Sequence, residues 1–447
     1  MEKKDKFTAF SLFSAIIASL GGFLLGYNQT VIAGALMFIE KDFNLSTIQQ
    51  EMIVSIMLIG ALVGASFGGI LADRIGRKLT LFFTTVFFVF SSMLLSSADT
   101  MFILIVGRFI CGFAVGIVSI VAPLYIAEMS SPEHRGFLVS INQLSITLGI
   151  LIAYIVSYIF ADKSDWRSMF GSGLIPALGL FIGLFFLSET PSFLASRGNH
   201  VKAEKILKKI RKIRPDEEVL MKTQTSKEKV KWRHVFNKSI RPALVIGIGM
   251  SVIQQISGIN GVIFYAPKIF QMSGFVMAEK AILASISIGV INVLSTIIAI
   301  WLIDIIGRRL LLIIGLCGMT ASLAVLGFGF AFLKESVGML ALVCLIVYIA
   351  FFAISLGPVV WVLLSEIFPL GVRGRAMGLS VFINWVANYF VSLTLLTLLQ
   401  NFGPGNTFWL YGLICILALW FVIAKVPETK GKSFVEIQHF LKKQFHK

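Results

Sequence analysis

The sequence predicts an all-α membrane protein of twelve transmembrane helices in two pseudo-symmetric six-helix bundles, with both termini cytoplasmic. Apolar residues make up 57% of the 447-residue chain and charged residues 14%, against about 45–50% and 25% in an ordinary soluble protein. A soluble globule could not cover that much apolar surface. Long apolar runs recur twelve times, each near the ~20 residues that a bilayer-spanning helix needs. A set of short polar motifs then repeats in the same order in the two halves.

The runs of the first half fall at about 10–39, 50–72, 79–97, 101–127, 136–160 and 168–187. Those of the second fall at about 240–271, 279–303, 309–333, 337–366, 375–400 and 406–426. Backbone groups in lipid must bond within their own segment, so each run is a helix. The first follows Lys3, Lys4 and Lys6 and is too long for a signal-peptide core, so it is span 1. With both termini inside, 32 of the 39 Lys and Arg residues fall in inside segments and six outside, with Arg108 within span 4. This is the positive-inside bias. It accounts for most of the +16 net charge, which in a soluble chain would suggest nucleic-acid binding. The domain plan is a bundle over 1–195, a basic cytoplasmic linker over 196–239, a second bundle over 240–430 and a tail over 431–447. AEKILKKIRKIR at 203–214 predicts an amphipathic surface helix in the linker.

The repeat marks the loop after every second span. DRIGRK at 73–78 returns as DIIGRR at 304–309, Glu128 with Arg135-Gly136 as Glu366 with Arg373-Gly374, and SETP at 188–191 as PETKG at 427–431. Two repeated halves are a transporter plan, with the ligand expected between them near the midplane. Gly76 and Gly307 permit tight turns. Asp73 and Asp304 are placed to accept backbone N–H bonds and to face Arg77 and Arg308. Glu128 with Arg135, and Glu366 with Arg373, put an acid at one helix end and a base at the next helix start. Such pairs could latch the cytoplasmic side, each exposed pair contributing only ~0–1 kcal/mol. As a bland alternative, these loops serve topology alone.

The residues that would carry enzyme chemistry are missing from the spans. Cys111, Cys317, Cys344 and Cys415 sit in apolar stretches without CxxC spacing and read as packing residues. All five histidines fall in polar segments, so no intramembrane His is offered to a metal or proton relay, and no cofactor is expected. Amides and aromatics are more informative. Span 5 carries Gln143. Span 7 carries Gln254, Gln255 and Asn260 and then Phe264-Tyr265, span 8 Asn292, span 10 Trp361, and span 11 Asn384, Trp385 and Asn388. Amides are costly in hydrocarbon unless paired or wetted. Some would serve as glue between helices. They cluster beside Gly258, Gly261 and Gly357-Pro358, where helices can break. An amide both donates to and accepts from a hydroxyl, and an indole covers the C–H face of a ring. The combination suits a neutral polyhydroxylated ligand rather than a phosphate or amino acid.

SLGGFLLGYNQTVIAG, the GRK and GRR loops, the Glu…Arg-Gly repeat, QQISGINGVIFYAP, GPVVWVLLSEIFP, NWVANYF and PETKG together resemble the sugar porters of the major facilitator superfamily. That family includes bacterial xylose– and glucose–proton symporters and animal glucose facilitators. The resemblance covers nearly the whole chain. It implies the major facilitator fold, alternating access, and sugar contacts from Gln143, Gln254, Gln255, Asn260, Asn292, Trp361, Asn384 and Trp385. It also implies gating or coupling roles for Asn28, Asp73, Arg77, Arg108, Glu128, Arg135, Glu189, Tyr265, Asp304, Arg308, Glu366, Arg373 and Glu428.

The departures bear on coupling. Ser192 stands where the family usually has an arginine after its first PE[ST]P motif. Phe264 replaces the commoner Tyr, and Val360 a facilitator proline. The proton symporters carry an Asp after Gly-Tyr in span 1, where this chain has Asn28, as the animal facilitators do. All 23 acids lie in loops, tails or span ends, with Glu51 and Glu128 nearest to membrane depth. The expected activity is therefore transport of a monosaccharide, glucose or a similar hexose before xylose, with facilitated diffusion favoured over proton symport. A membrane-embedded enzyme and a non-transporting sugar sensor are the rivals from other classes. The expected partners are the sugar, the lipid bilayer and, under symport, protons. The expected state is a monomer in a bacterial cell membrane.

Overall fold

The computed structural model describes residues 8–131, 134–210, 234–237, 240–333, 337–369, 372–432, 436–437 and 440. Much of the linker, including 211–214 of its basic helix, and most of the tail lie outside the described residues. Within them, twelve helices are long and apolar enough to cross a membrane. Spans 1 to 6 are Ala9–Phe43, Thr47–Ile75, Arg77–Ser96, Met101–Glu128, Arg135–Ala161 and Trp166–Phe186. Spans 7 to 12 are Arg241–Met272, Ala278–Ile306, Arg308–Phe332, Val337–Ile367, Arg373–Asn401 and Pro404–Lys425. The linker adds a short helix, Pro191–Ser196, and a basic one, His200–Ile210. The latter buries Ala203 and Ile210 and exposes its lysines. Phe90, Phe185, Trp301 and Trp420 are exposed, as suits helix faces solvated by lipid tails.

The chain forms two compact units. One holds Met1–Gln29, Ile59–Ile150 and Phe170–Lys229, and the other Thr30–Leu58, Leu151–Met169 and Val230–Lys447. In the first, spans 2 and 4 meet backbone to backbone. A Cβ at Gly60 would stand 2.2 Å from the Phe109 carbonyl oxygen, and one at Gly64 2.1 Å from that of Phe113. Without a hydrophobic force between helices in lipid, such contact of small residues is what holds them.

In the second unit two spans are broken. Span 7 ends its first piece at Ile256 and restarts at Ile259, with Gly258 left-handed at φ 95°. Span 10 stops at Ile354 and restarts at Leu356, with Ser355 at φ −122° and ψ −94°. The Gly-rich stretches predicted both breaks, the second falling two residues before Gly357. Each break frees backbone groups that a side chain must satisfy. The Tyr348 hydroxyl donates to the Ser257 carbonyl at 2.8 Å in span 7, and Gln254 donates to carbonyls in the first turn after the span 10 break. Cys111, Cys344 and Cys415 are buried, but Cys317 is exposed. The packing reading of the cysteines therefore fails for Cys317, which lies on an exposed helix face.

Candidate functional site

In the second unit the predicted amides form one hydrogen-bonded chain. Asn260 donates through Nδ2 to Gln255 Oε1 at 2.7 Å. Gln255 Nε2 donates to Asn384 Oδ1 at 3.1 Å. Asn384 Nδ2 donates to Gln254 Oε1 at 2.9 Å and to the Ser251 carbonyl at 2.8 Å. Gln254 Nε2 closes the chain on the carbonyl of Leu356, at 2.8 Å, and on that of Gly357, at 3.3 Å. Spans 7 and 11 thus meet the break of span 10 through side chains that carry no charge. Helical spacing explains the set, since Gln254 and Gln255 close the first piece of span 7 and Asn260 opens the second.

Asn292 of span 8 is buried and makes no side-chain hydrogen bond among the described residues. Trp385 is buried and Trp361 half-buried. Tyr265 is used structurally, donating from its hydroxyl to the Ser392 carbonyl at 2.9 Å. Gln143 lies half-buried on span 5 in the first unit.

The repeated motifs build the same device twice. In the first unit Arg77 Nη2 is 3.1 Å from both Asp73 and Glu128. Glu189 accepts from the backbone N–H of Arg77 at 3.0 Å and of Lys78 at 3.1 Å, capping span 3. In the second unit Arg308 pairs with Asp304 at 3.3 Å and Glu366 at 3.0 Å. Glu428 accepts from the N–H of Arg308 and of Arg309, each at 3.0 Å, capping span 9. Burial pushes the Glu428 carboxyl upward, but four backbone amides, from Lys430, Arg308, Arg309 and Thr429, outweigh it and hold it below the usual carboxylate range.

The acid–base pairs suggested by the Glu…Arg-Gly spacing are not the ones formed. Glu128 and Glu366 pair with the arginines of the GR turns. Arg135 instead donates to the Ala127 carbonyl and Arg373 to that of Phe368, each at 3.1 Å. A guanidinium one helix start away reaches the freed carbonyls of the preceding helix end before it reaches the acid. The arginine absent at Ser192 does not undo the first network, because Glu189 works through backbone amides. Arg197 donates to the Arg74 carbonyl there.

Arg108 is the charge that the sequence left inside span 4, and it is 1% exposed. Its Nη1 donates to the backbone carbonyl of Asn28 at 2.9 Å. The Asn28 amide donates to the Leu24 carbonyl at 2.9 Å. The expected neighbours are therefore together, with the main chain of span 1 as the acceptor.

The profile of the family described as "Sugar (and other) transporter" matches residues 14–441. The chain belongs to the sugar porter family of the major facilitator superfamily. Among relatives of this sugar porter, the glucose transporter GlcP of Staphylococcus epidermidis is 38% identical over 440 residues, 96% of this chain and 97% of the relative. The galactose-proton symporter of Escherichia coli K12 is 38% identical over 444 residues, 97% of this chain and 95% of the relative. The inward open conformation of the xylose transporter XylE from E. coli aligns with TM-score 0.83 at 34% identity, over 96% of this chain and 99% of that one. The porter is a multi-pass protein of the cell membrane and a transporter rather than an enzyme.

Sequence reading missed two pairings in the second unit. Glu51 of span 2 is 2% exposed and bonds to Thr397 of span 11, and Glu40 of span 1 pairs with Lys268 of span 7. An acid just inside an apolar run was the available signal for Glu51. Thr397, within SLTLLTLLQ, offered none.

Proposed function

We propose that this porter carries a neutral monosaccharide, glucose or a similar hexose before xylose, by alternating access and facilitated diffusion. The observation that carries the reading is the uncharged amide chain from Asn260 to the span 10 break, with Asn292 unpaired and two indoles on the same spans. Each amide offers a donor and an acceptor to hydroxyl groups, and no carboxylate or guanidinium joins the chain to select an ionic substrate. In this reading Gln254, Gln255, Asn260, Asn292 and Asn384 bond the hydroxyls, and Trp361 and Trp385 cover the ring. Gln143 is a separate candidate, tested by its own substitution. The names of the glucose and galactose relatives support a hexose, and that of XylE keeps xylose next.

Facilitated diffusion is supported by Asn28. A symporter needs a group that gains and loses a proton near working pH. Arg108 stays protonated throughout, and Asn28, to which it bonds, cannot titrate. Symport is the second reading, favoured by the galactose-proton symporter relative. We place both termini in the cytoplasm on the Lys/Arg bias, read the chain as two six-helix bundles with a basic linker, and take the working unit as a monomer.

The test is uptake of labelled glucose into proteoliposomes, competed by a panel of hexoses, pentoses and inositol, with and without an imposed proton gradient. Glucose-competed equilibration without accumulation is expected. Accumulation abolished by a protonophore would establish symport, and sugar binding without uptake would establish a sensor.

A further inference from the structure

Glu51 has no part in the sugar reading. It lies just inside span 2, at the end that the Lys/Arg bias makes external. Its Oε1 accepts from the backbone N–H of Thr397 on span 11 at 2.8 Å, and its Oε2 is 2.7 Å from the Thr397 hydroxyl oxygen. One helical turn earlier the Thr47 hydroxyl donates to Gln400 at 2.6 Å. Two rungs thus tie span 2 to span 11.

No described cation lies within ion-pair distance of Glu51. On span 1, Glu40 is paired with Lys268 of span 7, Lys41 is exposed, and Asp42 accepts from the Trp166 indole. From span 12 the Tyr411 phenol faces Glu51 and is itself buried. Span 11 carries Arg373 and Arg375 in its first turn, more than twenty residues before Thr397, and Tyr389 as its other ionisable side chain.

Both bonds survive protonation. A neutral carboxyl accepts the Thr397 N–H with its carbonyl oxygen and donates its own proton to the Thr397 hydroxyl. An ionised carboxylate also makes both bonds, but it buries a charge with no counter-charge, which is costly. Once the spans part, water solvates the carboxylate and the cost disappears. Proton binding therefore favours the joined spans.

We infer that Glu51 is a protonatable latch of the transport cycle: neutral, it holds span 2 to span 11, and on losing its proton to external water it releases them to admit sugar. This rests on the transport reading, and it gives an external gate a response to pH although Asn28 cannot titrate.

The Thr397 amide reports the latch directly. Its hydrogen exchange is measured by residue-resolved mass spectrometry on the full chain in lipid nanodiscs, divided at each pH by the rate of an unstructured peptide. Protection is expected to be about threefold or more higher near pH 5.5 than near pH 7.5. Glu51→Gln keeps the accept-and-donate pattern of the neutral acid and should be equally protected at both. Glu51→Ala should be weakly protected at both. Equal protection of the parent at the two pH values, or a parent-like response in Glu51→Gln, overturns the latch. Glucose uptake in parallel reports the sugar reading separately, since exchange at Thr397 is read whether or not sugar moves.

Discussion

The guanidinium of Arg108 donates to the main-chain carbonyl of Asn28 across 2.9 Å, with both side chains almost fully buried. This bond reaches the main chain of span 1 and not the Asn28 side chain. A carboxylate placed at residue 28 would stand beside a permanent cation and gain a proton-linked state. Asn28→Asp should therefore make glucose uptake pH-dependent and respond to a proton gradient. Uptake with and without a protonophore checks this, and a pH-flat Asn28→Asp would remove Arg108 from any account of coupling.

The amide chain predicts a difference between two site variants. Asn292→Ala removes a group with no side-chain hydrogen bond among the described residues, so the half-saturation concentration should rise about tenfold, for ~1–3 kcal/mol of lost hydrogen bonding, at little cost in maximal rate. Gln254→Ala also unties the carbonyls of Leu356 and Gly357, so both constants should suffer. Concentration-dependent uptake separates the two. Equal effects would place Gln254 among simple ligand contacts.

Arg308→Ala strips Asp304 and Glu366 of their cation, and Arg77→Ala does the same to Asp73 and Glu128. The more buried bonds, to Glu128 and Glu366, contribute about 1.5–3 kcal/mol each, and the exposed ones, to Asp73 and Asp304, ~0–1 kcal/mol. Transport should fall in both variants while equilibrium sugar binding persists. Loss of binding together with transport would mark the networks as general scaffolding.

Glu428 links the span 9 cap to pH. Its carboxyl is held below the ordinary range, so its contribution is complete above the unfolded value of about 4.3 and is lost as pH falls through the folded one. Thermal stability should fall steeply in that acid window, and Glu428→Gln should flatten the fall. A variant with the parent's acid profile would locate the sensitivity elsewhere.

Gly64→Val tests the approach of spans 2 and 4. A branched side chain cannot occupy space 2.1 Å from the Phe113 carbonyl oxygen. Overpacking of about 1–3 kcal/mol should lower the melting temperature by several degrees, whereas Gly69→Val, with nothing within 4 Å, should not.

Much of this was legible in the residues, for physical reasons. Twelve apolar runs leave the chain no alternative to helices in lipid; Gly258 announced the first break because few other residues take its left-handed turn, and Gly357-Pro358 marked the neighbourhood of the second, which falls at Ser355. The amides of spans 7, 8 and 11 were visible because a polar side chain is conspicuous among hydrocarbons. Their wiring was not, since which carbonyl Gln254 meets depends on where span 10 breaks. The arginine partners were misjudged for the same reason. Spacing along a chain says that Glu128 and Arg135 are near, but not that Arg77, far off in sequence, is nearer. Thr397 was invisible because a hydroxyl that bonds in its own helix resembles one that bonds across.

The amides of the chain are bonded to one another. Each hydroxyl that engages Gln254, Gln255 or Asn384 must displace a bond the protein has made, so occupancy is an exchange with a small net gain. A carrier built this way holds its cargo loosely. Its dissociation constant should lie nearer millimolar than nanomolar, its cargo should leave faster than the helices move, and throughput should be set by reorientation rather than by release.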